Sequence, residues 1–314
     1  MTDLDSIALI IPTLNAASAE WASLARAIAI QGVSPQQVLI VDSESTDGTG
    51  QRVVDSGFRL VSIPRARFNH GGTRQWALQF FPEAEIIVYL TQDAILVEHA
   101  LRSLVSAFRD PKIAAAFGRQ LPRKAAGPVE THARLYNYSR DSSIRSLASR
   151  DSMGLKSIFF SNSFGAYRRQ VLESIGGFPT NVILGEDTIV AARLLLSGWN
   201  IAYVAEAQAY HSHSLSTIEE FKRYFDTGVL HSREPWLLKE FGGASGEGLR
   251  FVKSELRYLW RNRPALIPLA FLRTATKLAG YKLGRVERKL GRSLKQRLSM
   301  HHRFWTGVGH NECP

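Results

Sequence analysis

Cysteine is nearly absent from this 314-residue chain: its one example, Cys313, stands one residue from the end. Without a second thiol an internal disulfide is excluded, as is a cysteine metal cluster, and a reducing compartment becomes the default. The first residues, MTDLDS, carry no basic segment ahead of the apolar stretch that follows, so a secretory signal peptide is not expected. The apolar tail segment 264–280 (PALIPLAFLRTATKLAG) is short, broken by Pro268 and charged at Arg273 and Lys277. A membrane-spanning helix needs about 20 largely apolar residues, so none is expected there. The first apolar run ends in Pro-Thr-Leu-Asn, not in the Gly-x-Gly-x-x-Gly turn that a dinucleotide oxidoreductase would want.

What remains is an ordinary globular composition, 45% hydrophobic and 21% charged, in a chain long enough to bury a full core. The net charge of +11 suggests nucleic acid until it is divided along the chain. From residue 250 onward there are 15 Lys/Arg against 3 Asp/Glu; the preceding 249 residues hold 24 against 25. The body is neutral and the tail carries the excess. With the charge so confined and no recognised binding module, no nucleic-acid partner is expected.

Residues 7–11 (IALII), 38–41 (VLIV), 59–63 (RLVSI), 86–90 (IIVYL) and 113–117 read as strands. Helical patterns lie between them near 18–31, 47–56, 73–81 and 98–108. Apolar strands alternating with helices predict a parallel sheet covered on both faces, with ligands beyond the carboxyl ends of its strands. Residues 119–156 are polar and irregular and read as a long surface excursion, the kind that often serves as a lid or binding loop. A β-rich piece follows at 157–167, a helix to 175, a Gly-Gly-Phe-Pro turn at 176–179, a helix over 186–197 and a strand over 203–209.

The strand ends carry the chemistry. The first ends in Pro12-Thr13-Leu14-Asn15 and the second in Asp42-Ser43-Glu44-Ser45-Thr46-Asp47. Asp42 is placed to accept from a base or ribose hydroxyl, whereas Thr46 and Asp47 read as a helix cap. The fourth ends in Thr91-Gln92-Asp93, where a lone acid can hold a hard divalent cation. In Asn69-His70-Gly71-Gly72-Thr73-Arg74 two glycines precede a helix; they would let backbone approach a phosphate, or simply make a turn. Glu186-Asp187 opens a helix, either as an acid pair at its N-terminus or as a catalytic base. His211 and His213 sit two apart after a strand and so point the same way, which suits one shared ion or a structural pair.

PTLN, VDSESTDGT, TQDA and Gly185-Glu186-Asp187, in this order over roughly residues 7–215, resemble the inverting family-2 glycosyltransferases of the GT-A fold. The resemblance implies a nucleotide-binding α/β domain with a mixed, mainly parallel sheet over residues 1–215, and a basic helical extension over 216–314. It implies a nucleotide pocket at Pro12, Thr13, Asn15 and Asp42, with Ser45 beside it. It also implies a metal-diphosphate acid at Asp93, the one carboxylate left in a motif that here reads Thr91-Gln92-Asp93. One of His211 and His213 would complete the site for Mg²⁺ or Mn²⁺. Asp187 would be the base and Glu186 would place the acceptor. FNHGGTR with TQDA resembles the bacterial rhamnosyltransferases of this family, which take dTDP-β-L-rhamnose. By that resemblance Asn69, His70, Gly71, Arg74 and Gln92 join the nucleotide-sugar site, and the acceptor is a saccharide or polyprenyl-linked saccharide in cell-surface polysaccharide or lipopolysaccharide synthesis.

Inversion needs a base that takes the proton of an acceptor hydroxyl as it attacks the anomeric carbon, and a cation to neutralise the departing diphosphate. The transition state is oxocarbenium-like, as in glycoside hydrolysis. Apolar patches among the tail's Arg and Lys suggest interfacial helices on anionic lipid, so the expected location is peripheral, on the cytoplasmic face of the cell membrane. Another nucleotide sugar, or a non-catalytic sugar-binding relative, is the alternative.

Overall fold

The computed structural model describes residues 4–212, 214–242 and 246–306. Its strands are β1 (Ile7–Thr13), β2 (Val38–Asp42), β3 (Arg59–Ser62), β4 (Ile86–Leu90), β5 (Ile95–Leu96), β6 (Ile113–Leu121), β7 (Ser143–Arg145), β8 (Phe164–Arg168) and β9 (Asn200–Tyr210). They form one sheet in the order β3-β2-β1-β4-β8-β6-β9-β5, with β7 paired on β9. β1 to β4 pair in parallel, β8 runs antiparallel between β4 and β6, and β9 is parallel to β6. The sheet is mixed because β8 enters from the opposite end, which brings the loop before it to the carboxyl end of β4.

The strands read as unbroken apolar runs because both faces are covered. Ile10, Leu39, Val41, Ile87 and Tyr89 pack in one core layer, while Leu9, Ile11, Val38, Ile40, Val88 and Leu90 pack in the other. Period-two alternation sends successive residues to opposite faces, so each strand contributes to both layers. Helices α1 (Ser18–Ala29), α2 (Thr49–Asp55), α3 (His70–Ala77) and α4 (Ala100–Ser106) follow β1, β2, β3 and β5.

Two expectations shift here. The helix expected near residue 73 starts at His70, because Asn69 Oδ1 accepts the Gly72 N–H at 2.8 Å and caps the first turn. The stretch 119–156 is not wholly irregular: β6 runs on to Leu121, and α5 (Pro128–Asn137), β7 and α6 (Arg150–Met153) follow. Next come α7 (Arg169–Ser174) and α8 (Glu186–Leu196).

The tail comprises α9 (Thr217–Arg233), α10 (Pro235–Phe241), α11 (Glu247–Asn262), α12 (Ile267–Arg285) and α13 (Arg292–Leu298). Pro268 does not break α12: it occupies the first turn, where a missing N–H is no loss. α9 and α12 approach backbone to backbone. A Cβ on Gly284 would lie 2.0 Å from the Phe225 carbonyl oxygen, and one on Gly280 would lie 2.4 Å from that of Phe221. Arg273 and Lys277 both reach Glu220, at 3.2 and 3.0 Å, so these two tail cations are spent internally. These C-terminal helices also pack against the elements around the sheet. The Leu230 side chain fills the space beside Gly185, and the His301 ring meets that of His70 edge-on at 5.3 Å.

Candidate active site

The ends of β1 and β2 form one interlocked loop pair. Asp42 is buried and accepts from Thr13 Oγ1 at 3.3 Å and from the Ser45 N–H at 2.9 Å. The Ser45 hydroxyl donates to Asp42 and accepts the Asn15 N–H at 2.7 Å, while Asn15 Oδ1 accepts the Thr46 N–H at 2.9 Å. Asn15 holds φ +48°, a left-handed conformation that its short polar side chain tolerates. Asp47 accepts the Thr49 N–H and pairs with Arg52 at 3.0 Å, but the cap position expected of Thr46 and Asp47 falls to Gly48, which offers no side chain. Pro12 is half-buried on β1, opposite Val41.

Gln92 closes the set from β4. Its Oε1 accepts the Leu14 N–H at 2.8 Å and its Nε2 donates to the Leu14 carbonyl at 3.2 Å. An amide matches a backbone donor and acceptor together; a carboxylate in its place could only accept. This pairing gives a physical use for glutamine at the middle of Thr91-Gln92-Asp93.

One residue on, Asp93 Oδ2 lies 3.3 Å from His211 Nε2. The other ring nitrogen, Nδ1, faces Gln120 Oε1 at 2.9 Å, and that oxygen can only accept. Nδ1 is therefore the donor to Gln120, and Nε2 is the ring nitrogen that faces the Asp93 carboxylate. An imidazole beside a carboxylate is a donor set that suits Mn²⁺ or Mg²⁺ when diphosphate oxygens complete the shell. Among the described residues no three His, Cys, Asp or Glu converge on one point. His213, the other expected ligand, lies outside the described residues. Arg123 donates to the Asp93 carbonyl and fixes the turn.

The second cluster gathers around Glu186-Asp187. Arg74, expected at the phosphate, pairs with Glu186 at 3.0 Å, and both side chains are buried. Burial would raise the Glu186 pKa, but Arg74 and His70 beside it outweigh that and hold it below the usual value. Gly71 faces protein, not open space: a Cβ there would lie 1.9 Å from the Pro179 carbonyl oxygen. Asn69 Nδ2 donates to Thr180. The residues 69–74 thus fasten α3 to the turn that leads into α8. Glu186 is occupied as a counter-ion, while its neighbour is half-buried and differently set.

Asp187 Oδ2 accepts the Asn162 N–H at 3.3 Å, and Oδ1 accepts the Thr188 N–H at 2.7 Å. Burial first, then the Glu186 charge, raise its pKa to about 7. A carboxylate poised there can take a hydroxyl proton near neutral pH. Asn162 went unassigned in the sequence, yet it serves both acids: its Nδ2 donates to Glu186 at 3.3 Å, and its Oδ1 is held by the Tyr167 hydroxyl at 2.8 Å. Only the antiparallel entry of β8 brings it there. Arg134 on α5 feels the charge of Asp93, and Tyr138, just past the end of that helix, feels that of Asp187.

The family model described as Glycosyltransferase like family 2 matches residues 5–227. The O-antigen chain rhamnosyltransferase WbaN of Salmonella anatum is 45% identical over 306 residues, 97% of each chain. RfbN of Salmonella typhimurium, of the same description, is 46% identical over 304 residues, 96% of each chain. Among solved structures, the mannosyltransferase PcManGT of Pyrobaculum calidifontis, in complex with GDP-Man and Mn²⁺, superposes with a TM-score of 0.57 at 19% identity, covering 97% of this chain and 86% of that one. TarS of S. aureus (1–349) with UDP-GlcNAc gives 0.53 at 15% identity, covering 90% and 91%. These two show the shared GT-A fold. The chain belongs to the family-2-like glycosyltransferases.

Proposed function

We propose that this enzyme transfers L-rhamnose from dTDP-β-L-rhamnose, with inversion, to a saccharide or polyprenyl-linked saccharide in cell-surface polysaccharide synthesis. The near full-length 45–46% identity to two O-antigen chain rhamnosyltransferases carries the choice of sugar. Pro12, Thr13, Asn15, Asp42 and Ser45 form the nucleoside wall, and Asp93 with one of His211 and His213 would hold the cation. That cation, when bound, neutralises charge on the departing diphosphate. Asp187 accepts the acceptor hydroxyl's proton as that oxygen bonds to the anomeric carbon, while the bond to the diphosphate breaks and its electron pair leaves with the diphosphate. The Asn162 and Thr188 N–H groups keep the carboxylate aimed. The test is turnover and binding across dTDP-rhamnose, UDP-glucose, UDP-N-acetylglucosamine and GDP-mannose, with Mn²⁺, Mg²⁺ or chelator. The expected result is metal-dependent turnover with dTDP-rhamnose preferred at least about 10-fold, the discrimination a small pocket difference supports. Preference for another donor removes rhamnose and leaves the fold and base in place.

The same reading puts the tail on the cytoplasmic membrane surface. Among the described residues no helix is long and apolar enough to cross a membrane. Trp260, Phe271 and Leu272 are exposed around the α11–α12 junction, beside exposed Arg257, Arg261 and Arg263. Exposed aromatic and aliphatic side chains amid cations suit the interface of anionic lipid. The full chain is expected to co-sediment with phosphatidylglycerol vesicles, less so in high salt, and to lose most of that binding when Trp260, Phe271 and Leu272 become Ser. Equal binding to neutral vesicles, or none to either, contradicts this role.

A further inference from the structure

Arg134 occupies α5, in the stretch between the two acid clusters. Its Nη1 donates to Gln120 Oε1 at 2.7 Å, and Gln120 Nε2 donates to Ser161 Oγ at 2.9 Å. The same Gln120 oxygen accepts from His211 Nδ1. One buried amide, 3% exposed, thus fixes both the guanidinium and the imidazole that faces Asp93. Arg134 itself is half-buried. Other arginines drawn into the chain are compensated: Arg74 by Glu186, Arg273 by Glu220, and Arg145 by the Lys156 and Phe159 carbonyls. Among the described residues Arg134 has no carboxylate within ion-pair distance, and Gln120 is its one hydrogen-bond partner. Glu130, one turn away on α5, is bonded by Ser214 Oγ at 2.8 Å. Burial holds the Arg134 pKa below its usual value, Arg223 lowers it further, and Tyr138, Glu130 and Asp93 act on it only from a distance.

A half-buried guanidinium with one neutral acceptor keeps further N–H donors for an anionic ligand. Its fork of N–H donors matches paired phosphate oxygens, which a point charge does not. We propose that Arg134 is the diphosphate-binding guanidinium of this site, with Gln120 as the positioning residue that aims it. The proposal rests on the glycosyltransferase reading above. The shared hydrogen bond to His211 favours the donor's diphosphate over that of a polyprenyl-linked acceptor. In the transfer, the anomeric C–O bond breaks, its electron pair goes to the diphosphate oxygen, and Arg134 donates hydrogen bonds to the charge that grows there.

The test compares Arg134→Met and Arg134→Lys in the full chain with Mn²⁺ present. Its readouts are calorimetric binding of dTDP and of thymidine, kcat, KM for donor and for acceptor, and melting temperature. Arg134→Met is expected to weaken dTDP by about 10-fold, the lower bound for a hydrogen bond to a charged group, and to leave thymidine unchanged. Turnover should fall by roughly 10²-fold, as for a lost oxyanion donor. Lysine should recover part of both. Melting should stay level, since no ion pair is lost and the side chain is only half-buried. A rise confined to the acceptor KM, with dTDP affinity intact, upholds the diphosphate role and assigns it to the acceptor. Unchanged dTDP affinity, acceptor KM and kcat overturn it, as does a fall in melting temperature with dTDP affinity retained. A wild-type chain that binds no nucleotide overturns the parent reading instead, which keeps the two failures distinct.

Discussion

Asp187→Asn is expected to lower turnover by roughly 10²–10⁴-fold, the range for loss of a general base, while dTDP affinity changes only a few-fold. The substitution keeps an oxygen for one of the Asn162 and Thr188 N–H groups, turns its NH2 toward the other, and removes the capacity to take a proton. It carries a second, opposite signature. The Asp187 pKa rises from an ordinary 3.8 to about 7, chiefly through burial and then through Glu186. The folded chain therefore binds this proton more tightly than the unfolded chain. Stability from this group is complete below the unfolded value and is lost as pH climbs toward 7. Asparagine escapes that loss. At pH 8 the variant is expected to be more stable by about 1–2 kcal/mol, since a pKa unit corresponds to 1.4 kcal/mol and solvent screens part of the shift. At pH 4 the two should match. Urea unfolding at both pH values checks this; a variant less stable at pH 8 would mean the carboxylate is structurally needed.

Glu186→Gln should do the reverse. It leaves the Arg74 guanidinium buried without a counter-charge, and removing one partner of such a pair costs about 3–5 kcal/mol. The Asn162 hydrogen bond can be kept, because glutamine retains an acceptor oxygen, so the loss reports the charge. Replacing both partners, Glu186→Gln with Arg74→Met, should restore much of the loss, because two neutral groups leave no stranded charge. The readout is the urea midpoint at an unchanged m-value. A single-variant loss below about 1 kcal/mol would make the pair a surface-like ion pair and return Glu186 to the acceptor. Adjacent acids at one helix start are thus expected to behave oppositely, one holding structure and the other held for chemistry.

The sheet was legible because its strands are apolar on both faces, as VLIV and IIVYL show at once. The strand-tip acids were legible because chemistry in such sheets gathers at the carboxyl ends. Three residues were not. Asn162, Gln120 and Arg134 lie outside any periodic pattern, and their partners are distant in sequence: Gln120 meets His211 across 91 positions, and Arg134 belongs to a stretch that reads as loop. Glycine misled in one place. Gly71 reads as a phosphate approach but is demanded by the Pro179 carbonyl. In the tail, Pro268 reads as a break because a first-turn proline and a mid-helix proline look alike until the helix start is known.

The most direct measurement is the pH profile of kcat/KM at saturating metal, for the wild type and for Glu186→Gln well below that variant's melting temperature. The wild type should lose activity on the acid side with an apparent pKa near 7, where Asp187 gains its proton. Removing the neighbouring charge should shift that limb to lower pH, because Glu186 helps hold the value up. A profile flat from about pH 5 to 8, or an acid limb that stays in place when Glu186 is neutralised, would contradict Asp187 as the base.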